Sequence, residues 1–278
     1  MFDGRRLLIA TKHHKEQVIA PIFEKELAVQ CFTSDEFDTD SLGTFSGEIE
    51  RKNGALKTLR NKCIFSLEKN DCELVVASEG SFGAHPTIFF AQANEELMMF
   101  VDTKNDLEIV VREISTETNF NAANIKNEAE LMEFADKVKF PSHGLILKPS
   151  ENDFSKIIKG ITNKVTLKNG FKKMMNQFGT AYVETDMRAL FNPTRMKLIE
   201  KAAVKLVKAI QSKCPVCETP GFVTSESKPG LPCDLCHFPT RSILSHISKC
   251  KKCNYTLEQL YPNKKITEDP MYCDFCNP

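Results

Sequence analysis

Eight of the eleven cysteines in this 278-residue chain fall after residue 213, as four C-x-x-C pairs: Cys214/Cys217, Cys233/Cys236, Cys250/Cys253 and Cys273/Cys276. A C-x-x-C knuckle presents two thiolates on one side of a tight turn, so two knuckles close a tetrahedral site of four sulfurs with metal–sulfur bonds of about 2.3 Å. Four knuckles predict two ions. Sequential pairing, first with second and third with fourth, leaves 15 and 19 residues between knuckles, near the spacing of zinc ribbons. The rival is an interleaved cross-brace joining first with third and second with fourth. Because 13 residues hold Cys236 away from Cys250, the reading favoured here is two sequential ribbons.

Disulfides are the competing use of so many cysteines. They need an oxidising compartment, and the apolar start Leu7-Leu8-Ile9-Ala10 is too short for an export signal, so a cytoplasmic location with reduced thiols is expected. Zinc is the expected ion, although tetrahedral geometry with four sulfurs also suits iron. With every thiolate committed, the sites are closed and the metal is structural. His237 and His246 read as exposed polar residues beside it. Cys31, Cys63 and Cys72 read as small buried hydrophobes.

The chain balances 37 basic against 37 acidic side chains, but unevenly. Residues 1–155 carry 17 basic and 27 acidic groups (net −10), residues 156–211 carry 12 and 3 (+9), and residues 212–278 carry 8 and 7 (+1). Eight thiolates and two divalent ions would add −4 to the last segment, making it −3, a poor surface for a phosphate backbone. Nucleic acid is therefore a disfavoured partner. The longest apolar run, Leu97–Val101, is five residues, against the ~20 that span a bilayer, so no membrane is expected.

The first two thirds alternate strand-like and helix-like segments, which predicts an α/β fold with a mixed or mostly parallel sheet covered by helices. The expected division is an α/β domain over 1–211, acidic to 155 and basic and helical over 156–211, followed by a small double zinc ribbon over 212–278. A short strand at Arg6–Ala10 leads to a helix over 15–28, which Pro21 kinks or restarts, and a strand near 28–33 follows. Leu56, Leu59, Cys63 and Leu67 mark a helix over 49–69 that buries Cys63. Leu97–Asp102 and Leu107–Ile114 read as a hairpin that turns at Lys104-Asn105-Asp106. Asn127 and Glu130 form a capping box. Asn192-Pro193 caps a helix reaching about Gln211.

Three polar stretches carry candidate chemistry. The loop 38–51 offers Asp38, Asp40 and Glu48 as carboxylates and Gly43, Thr44 and Ser46 for an anion at the following helix. The segment 78–86, read as a loop after a strand, holds Glu79, Gly80, Ser81, Gly83 and His85. If the strands before these two loops are parallel neighbours, both loops meet at the carboxyl edge of the sheet, where α/β folds place ligands. There Thr11 and Lys15 would meet phosphate, while Asp38, Asp40, Glu48 or Glu79 would hold Mg²⁺ or activate water, with His85 a further acid–base candidate. Around the last helix, Asp186, Arg188 and Arg195 suit a carboxylate or phosphate. The competing reading is an Asp186–Arg195 ion pair with Asn192 as cap. The lysines 197, 201, 205 and 208 read as a solvated stripe or as a surface docked on the acidic segment.

The stretches DTDSLGTFSGEIER (38–51), SEGSFGAHP (78–86), STETNF (115–120) and ETDMRALFNPTRM (184–196), with the knuckles ending in CDFCNP (273–278), together resemble an uncharacterised bacterial family catalogued as a domain of unknown function. The resemblance covers essentially the whole chain, and implies a single-family architecture without an assigned activity. A partial likeness, in the order strand, Thr11-to-Lys15 loop, carboxylate-led helix and strand ending in Glu79-Gly80, is to house-cleaning nucleoside-triphosphate pyrophosphatases. Their first loop carries Thr/Ser, Asn and Lys; here His13 stands at the Asn position and Lys15 comes one residue early.

The functional expectation is a zinc-binding protein with a phosphate- or nucleotide-like ligand site, and with metal-assisted phosphohydrolysis as its reaction. The alternative is a non-enzymatic zinc-ribbon protein that docks a protein or nucleic acid through Tyr255, Tyr261, Lys251, Lys252, Lys264 and Lys265.

Overall fold

The computed structural model describes residues 1–36, 53–88 and 90–278. Asp38, Asp40, Gly43, Thr44, Ser46 and Glu48, with the whole loop 38–51 that carries them, lie outside these residues. The chain divides into two compact units, Met1–Val207 and Lys208–Pro278.

Among the described residues the first unit contains two sheets. A mixed five-stranded sheet has the order β2-β1-β3-β4-β5. Strands β1 (Arg6–Ala10), β2 (Gln30–Phe32) and β3 (Leu74–Ala84) are parallel, and β3, β4 (Gln92–Asp102) and β5 (Leu107–Ser115) form an antiparallel meander. Helix α1 (Glu16–Leu27) connects β1 to β2, with Pro21 inside one continuous helix whose buried stripe is Ile19, Phe23 and Leu27. Helix α2 (Ala55–Lys69) lays Leu59 and Cys63 on the face formed by Leu8, Ala10, Val75, Ala77 and Met99. Burial pushes the Cys63 thiol up to about 12, so it behaves as a small hydrophobe, as expected from its place on the stripe.

The segment 78–86 is not a loop. Strand β3 runs through to Ala84, paired residue by residue with β4, and only His85 onward turns the chain. Turn-forming composition gave way here to cross-strand pairing, because Ser78, Gly80 and Ser81 pair with Met98, Glu96 and Glu95 of β4. Thr87 and Ile88 belong to the same turn, where their backbone N–H groups donate to His85 Nδ1 at 3.2 and 3.1 Å.

The second sheet is antiparallel, in the order β6-β9-β7-β8: β6 (Ala122–Ile125), β9 (Ala181–Thr185), β7 (Leu145–Lys148) and β8 (Ile158–Ile161). Helices α3 (Glu128–Lys137) and α4 (Lys164–Phe178) cover one face, where Leu131, Phe134, Leu145, Leu147, Phe171, Met174 and Val183 form a single core. Asn127 caps α3, its Oδ1 accepting from Glu130 N at 2.9 Å. Helix α5 (Pro193–Gln211) follows a 3-10 turn, Ala189–Phe191. Its cap is Asn192, whose Oδ1 accepts from Arg195 N at 2.9 Å.

The second unit is a three-stranded antiparallel meander, β10 (Thr224–Pro229), β11 (Ile243–Lys249) and β12 (Thr256–Leu260), with knuckles at its ends. Few of its residues are buried, and its cysteines, Leu231, Thr240, Ser245 and Glu268 account for most of them. No helix among the described residues is long and apolar enough to cross a membrane.

Candidate metal centre and buried ion-pair cluster

The cysteines form two groups, Cys214/Cys217/Cys250/Cys253 and Cys233/Cys236/Cys273/Cys276, with the ligand atoms of each within 4.8 Å of one another. This is the interleaved arrangement, and it corrects the expectation of sequential ribbons. The cause is the meander. Each strand joins one knuckle to the next, and adjacent strands run in opposite directions, so the first and third knuckles share one end of the sheet and the second and fourth the other. The 13 residues between Cys236 and Cys250 hold β11 and carry the chain the length of the sheet. A strand of this length, at about 3.3 Å per residue, puts the two centres roughly 20 Å apart.

All four knuckles share one backbone hydrogen bond. The N–H of the residue after the second cysteine donates to the carbonyl of the first: Glu218 to Cys214 (2.9 Å), His237 to Cys233 (3.0 Å), Asn254 to Cys250 (3.0 Å) and Asn277 to Cys273 (2.9 Å). Glu218, His237 and Asn254 are left-handed, with φ of 58°, 62° and 60°. The strain of a non-glycine residue there is accepted to aim both sulfurs at one point. His237 thus serves a turn, and among the described residues neither it nor His246 belongs to a metal group.

The sulfur spacing fits a tetrahedral ion. Four sulfurs at about 2.3 Å from a zinc ion are about 3.8 Å apart, and the Sγ–Sγ separations include 3.6 Å for Cys214–Cys253, 3.5 Å for Cys217–Cys250, 3.9 Å for Cys233–Cys276 and 3.6 Å for Cys236–Cys273. All are far beyond the roughly 2.05 Å of a disulfide bond. Hydrogen bonds from Thr219 bring the Cys217 thiol down to about 6. Backbone N–H groups of Cys276 and Phe275 bring Cys273 to about 7. Cys236 and burial push Cys276 up to about 12. Four thiolates packed this closely ionise together only when a cation offsets their repulsion.

The α/β unit carries a second cluster, at the carboxyl end of β1, where its ladder with β3 stops. These strands are parallel neighbours, Ala10 facing Ala77, so the Thr11–Lys15 loop lies beside Ser78 and Glu79. Two successive loop residues, His13 and His14, are left-handed at φ 69° and 60°. The register sorts the side chains. Ser78, Gly80, Asn94 and Glu96 share one face, and Glu79 points to the other, toward α2.

On the first face Lys15 is 5% exposed, and its Nζ bonds Ser78 Oγ at 2.9 Å. Burial, followed by the charges of Arg195 and Lys62, lowers its pKa to about 7. Arg195, fully buried, donates from Nε to Glu96 Oε1 at 2.6 Å and from Nη1 to the Met187 carbonyl at 2.6 Å, and stands 5.2 Å above the Phe82 ring. Gly80 makes room for this pair: a Cβ there would lie 2.6 Å from both Arg195 Nη2 and Glu96 Oε1. On the second face Glu79 is ion-paired with Lys62.

Several predicted residues stand elsewhere. Asp186 pairs not with Arg195 but with Arg188, which donates from Nε at 2.9 Å and Nη2 at 2.6 Å, and it also accepts from Gly160 N at 3.0 Å. The two-residue separation lets Arg188 fold back onto it, while Arg195, on α5, reaches the other sheet. Thr11 Oγ1 donates to its neighbour's carbonyl, Lys12 O, at 2.7 Å. Along the extended chain His85 lies about 20 Å from Glu79, so the two do not share a site, and Gly83 lies near His85.

Sequence reasoning missed Ser78, Lys62, Asn94, Glu96 and Asn119. Asn119 accepts from Asn192 Nδ2 at 2.9 Å and donates to the Val138 carbonyl at 3.0 Å. The segments 78–86, 115–120 and 184–196 therefore meet in space: Phe82 stacks on Phe120 at 5.7 Å, Asn119 holds Asn192, and Arg195 holds Glu96.

Fold and geometry define a two-unit protein, one unit mixed α/β with a buried ion-pair cluster, the other a meander whose two four-cysteine groups can each hold a metal ion. A family model described as Domain of unknown function (DUF6671) matches residues 62–278, and the chain belongs to that family. No curated protein matches it. Among solved structures it is similar to protein VC0702 from Vibrio cholerae, at 8% identity and TM-score 0.31, over 74% of this chain and 94% of that one.

Proposed function

We propose that this is a two-zinc protein whose C-terminal unit is folded around structural metal and whose α/β unit binds a small phosphorylated ligand. The observation that carries the first half is the pair of four-cysteine groups with tetrahedral sulfur spacing and knuckle turns. Each ion would be held by four thiolates, and zinc supplies charge neutralisation and cross-linking there. Elemental analysis of purified protein is expected to give two zinc ions per chain; one ion, or iron, overturns the assignment.

For the second half the carrying observation is Lys15, a buried ammonium, at the carboxyl end of β1, whose side-chain partner is a hydroxyl rather than a carboxylate. Burying a cation whose direct partner is a neutral hydroxyl is costly, and an anion arriving beside Lys15 would pair with it directly. Thermal stabilisation by inorganic phosphate, lost in Lys15→Met, tests this; no shift up to tens of millimolar sinks it. Of the carboxylates proposed to hold Mg²⁺, Glu79 is engaged by Lys62, and Asp38, Asp40 and Glu48 lie outside the described residues.

A second reading, partner docking by the C-terminal unit, is favoured by the apolar tips of the second four-cysteine group: Leu235 (70% exposed), Phe275 (69%) and Phe238, whose ring lies 5.0 Å from that of Phe275. The aromatic and lysine group suggested for nucleic acid is less available, since Tyr255 packs on Phe222 at 5.9 Å and Lys265 pairs with Glu268 at 3.2 Å. Concentration-dependent self-association or capture of a defined protein, abolished by Leu235→Asp, is the check.

A further inference from the structure

The face of the sheet that carries Lys15 and Arg195 also carries two buried acceptors without a hydrogen-bond partner, Asn94 Oδ1 and Glu96 Oε2. Both residues are at most 1% exposed. Leaving such an acceptor unmatched forfeits its hydration with nothing in return, and two of them on alternate residues of one strand form a pattern. Asn94 and Glu96 stand two residues apart on β4, about 7 Å between Cα atoms, and Gly80 of β3, opposite Glu96, brings no side chain between them and Arg195. Cation and acceptor ends thus lie on one strip of sheet: Ser78 with Lys15, then Glu96 with Arg195, then Asn94.

We infer that the ligand of this site is a phosphate ester of a hydroxylated compound of pentose size, its phosphoryl group beside Lys15 and its hydroxyls donating to Glu96 Oε2 and Asn94 Oδ1. This rests on the reading of the α/β unit as a phosphate binder and adds the chemistry of the rest of the ligand. An unadorned anion satisfies Lys15 but brings no donors to the two acceptors. A neutral polyol does the reverse. A phosphorylated polyol serves both, and its hydroxyls are read by a carboxylate and an amide, the acceptors best suited to a diol. Binding also takes up protons. Lys15 is half neutral near pH 7 in the free protein, and an adjacent phosphoryl group restores its charge.

Calorimetric titration of the zinc-loaded full chain with inorganic phosphate, ribose 5-phosphate and ribose separates the cases. Ribose 5-phosphate is expected to bind about ten-fold more tightly than phosphate, the worth of one or two added hydrogen bonds, and ribose alone not measurably. At pH 8 its binding is expected to take up protons, seen as heats that differ between buffers, and at pH 6 not to. Asn94→Ala leaves the Arg195–Glu96 pair in place and is expected to remove most of the ten-fold preference. Equal affinities for phosphate and ribose 5-phosphate overturn the hydroxyl recognition while the phosphate reading stands. Absence of binding by either anion overturns the phosphate reading itself. A preference unchanged in Asn94→Ala overturns the assignment of Asn94.

Discussion

The two units solve the same problem, holding charged and polar groups at close quarters, with different materials. In Met1–Val207 the charges are inside: Arg195 on Glu96, Lys62 on Glu79 and Arg5 on Asp102 sit among two apolar cores large enough to fix their positions. In Lys208–Pro278 little apolar surface is buried, strands β10 and β12 are exposed along their length, and the polar groups that matter are thiolates. The first unit places its polar groups by packing. The second has too small a core to do so and depends on a cross-link.

The sharpest test of this contrast is metal removal. Chelation is expected to abolish the cooperative unfolding of the second unit while leaving that of the first, followed by hydrogen exchange of the two units; joint loss would erase the distinction. Interleaving makes a finer prediction. Cys214→Ser and Cys253→Ser are expected to lose the same ion, while Cys233→Ser loses the other, as read by metal stoichiometry in pairwise combinations. A Cys214/Cys253 double variant retaining one ion fits the cross-brace, and one retaining none breaks it.

Next in size is the buried pair of the first unit. Arg195→Met leaves Glu96 buried without its partner and is expected to cost about 3–5 kcal/mol in denaturant unfolding. Gly80→Ala drives a Cβ into the same pair and is expected to cost about 1–3 kcal/mol. Lys15 gives a pH signature. Its folded pKa, about 7, lies below the ordinary 10.5. Below pH 7 it is charged folded and unfolded, and the burial penalty is complete. Between pH 7 and 10.5 the folded chain gives up the proton that the unfolded chain keeps, so the penalty for burying the charge fades as the pH rises.

The unfolded chain therefore binds more protons in that window, and stability rises with pH through it. Lys15→Met is expected to flatten the rise. Asp102 acts at the other end: burial raises its pKa, but bonds from Arg5 and Asn105 outweigh this and hold it low, so its contribution is lost as the pH falls through the acid range. Smallest is the α3 cap, where Asn127→Ala is expected to cost about 1 kcal/mol by thermal unfolding.

Local signals were legible wherever the answer was local. The Asn127 and Asn192 caps, the β4–β5 hairpin and the Leu59/Cys63 stripe follow from neighbours along the chain, and the structure agrees with each. Helix α4 also left a local trace, Asn163 as cap, Gly179 as left-handed stop and Leu167, Phe171 and Met174 on one stripe, which the basic composition masked. The segment 78–86 misled because glycine and serine mark turns only when no neighbour needs a flat strand. Here Gly80 is small because Arg195 and Glu96 lie over it.

By itself, then, the sequence determined which cysteines can hold metal, how many groups they make and where most helices begin, since ligand chemistry and capping need no more than a few neighbouring residues. Only the tertiary structure decided which knuckles pair, because the direction of three strands sets that. It alone chose Glu96 over Asp186 for Arg195, and it gathered Lys15, Ser78, Asn94 and Glu96 on one face from distant parts of the chain. Register and crossover bring such groups together, and neither is written in any local stretch of residues.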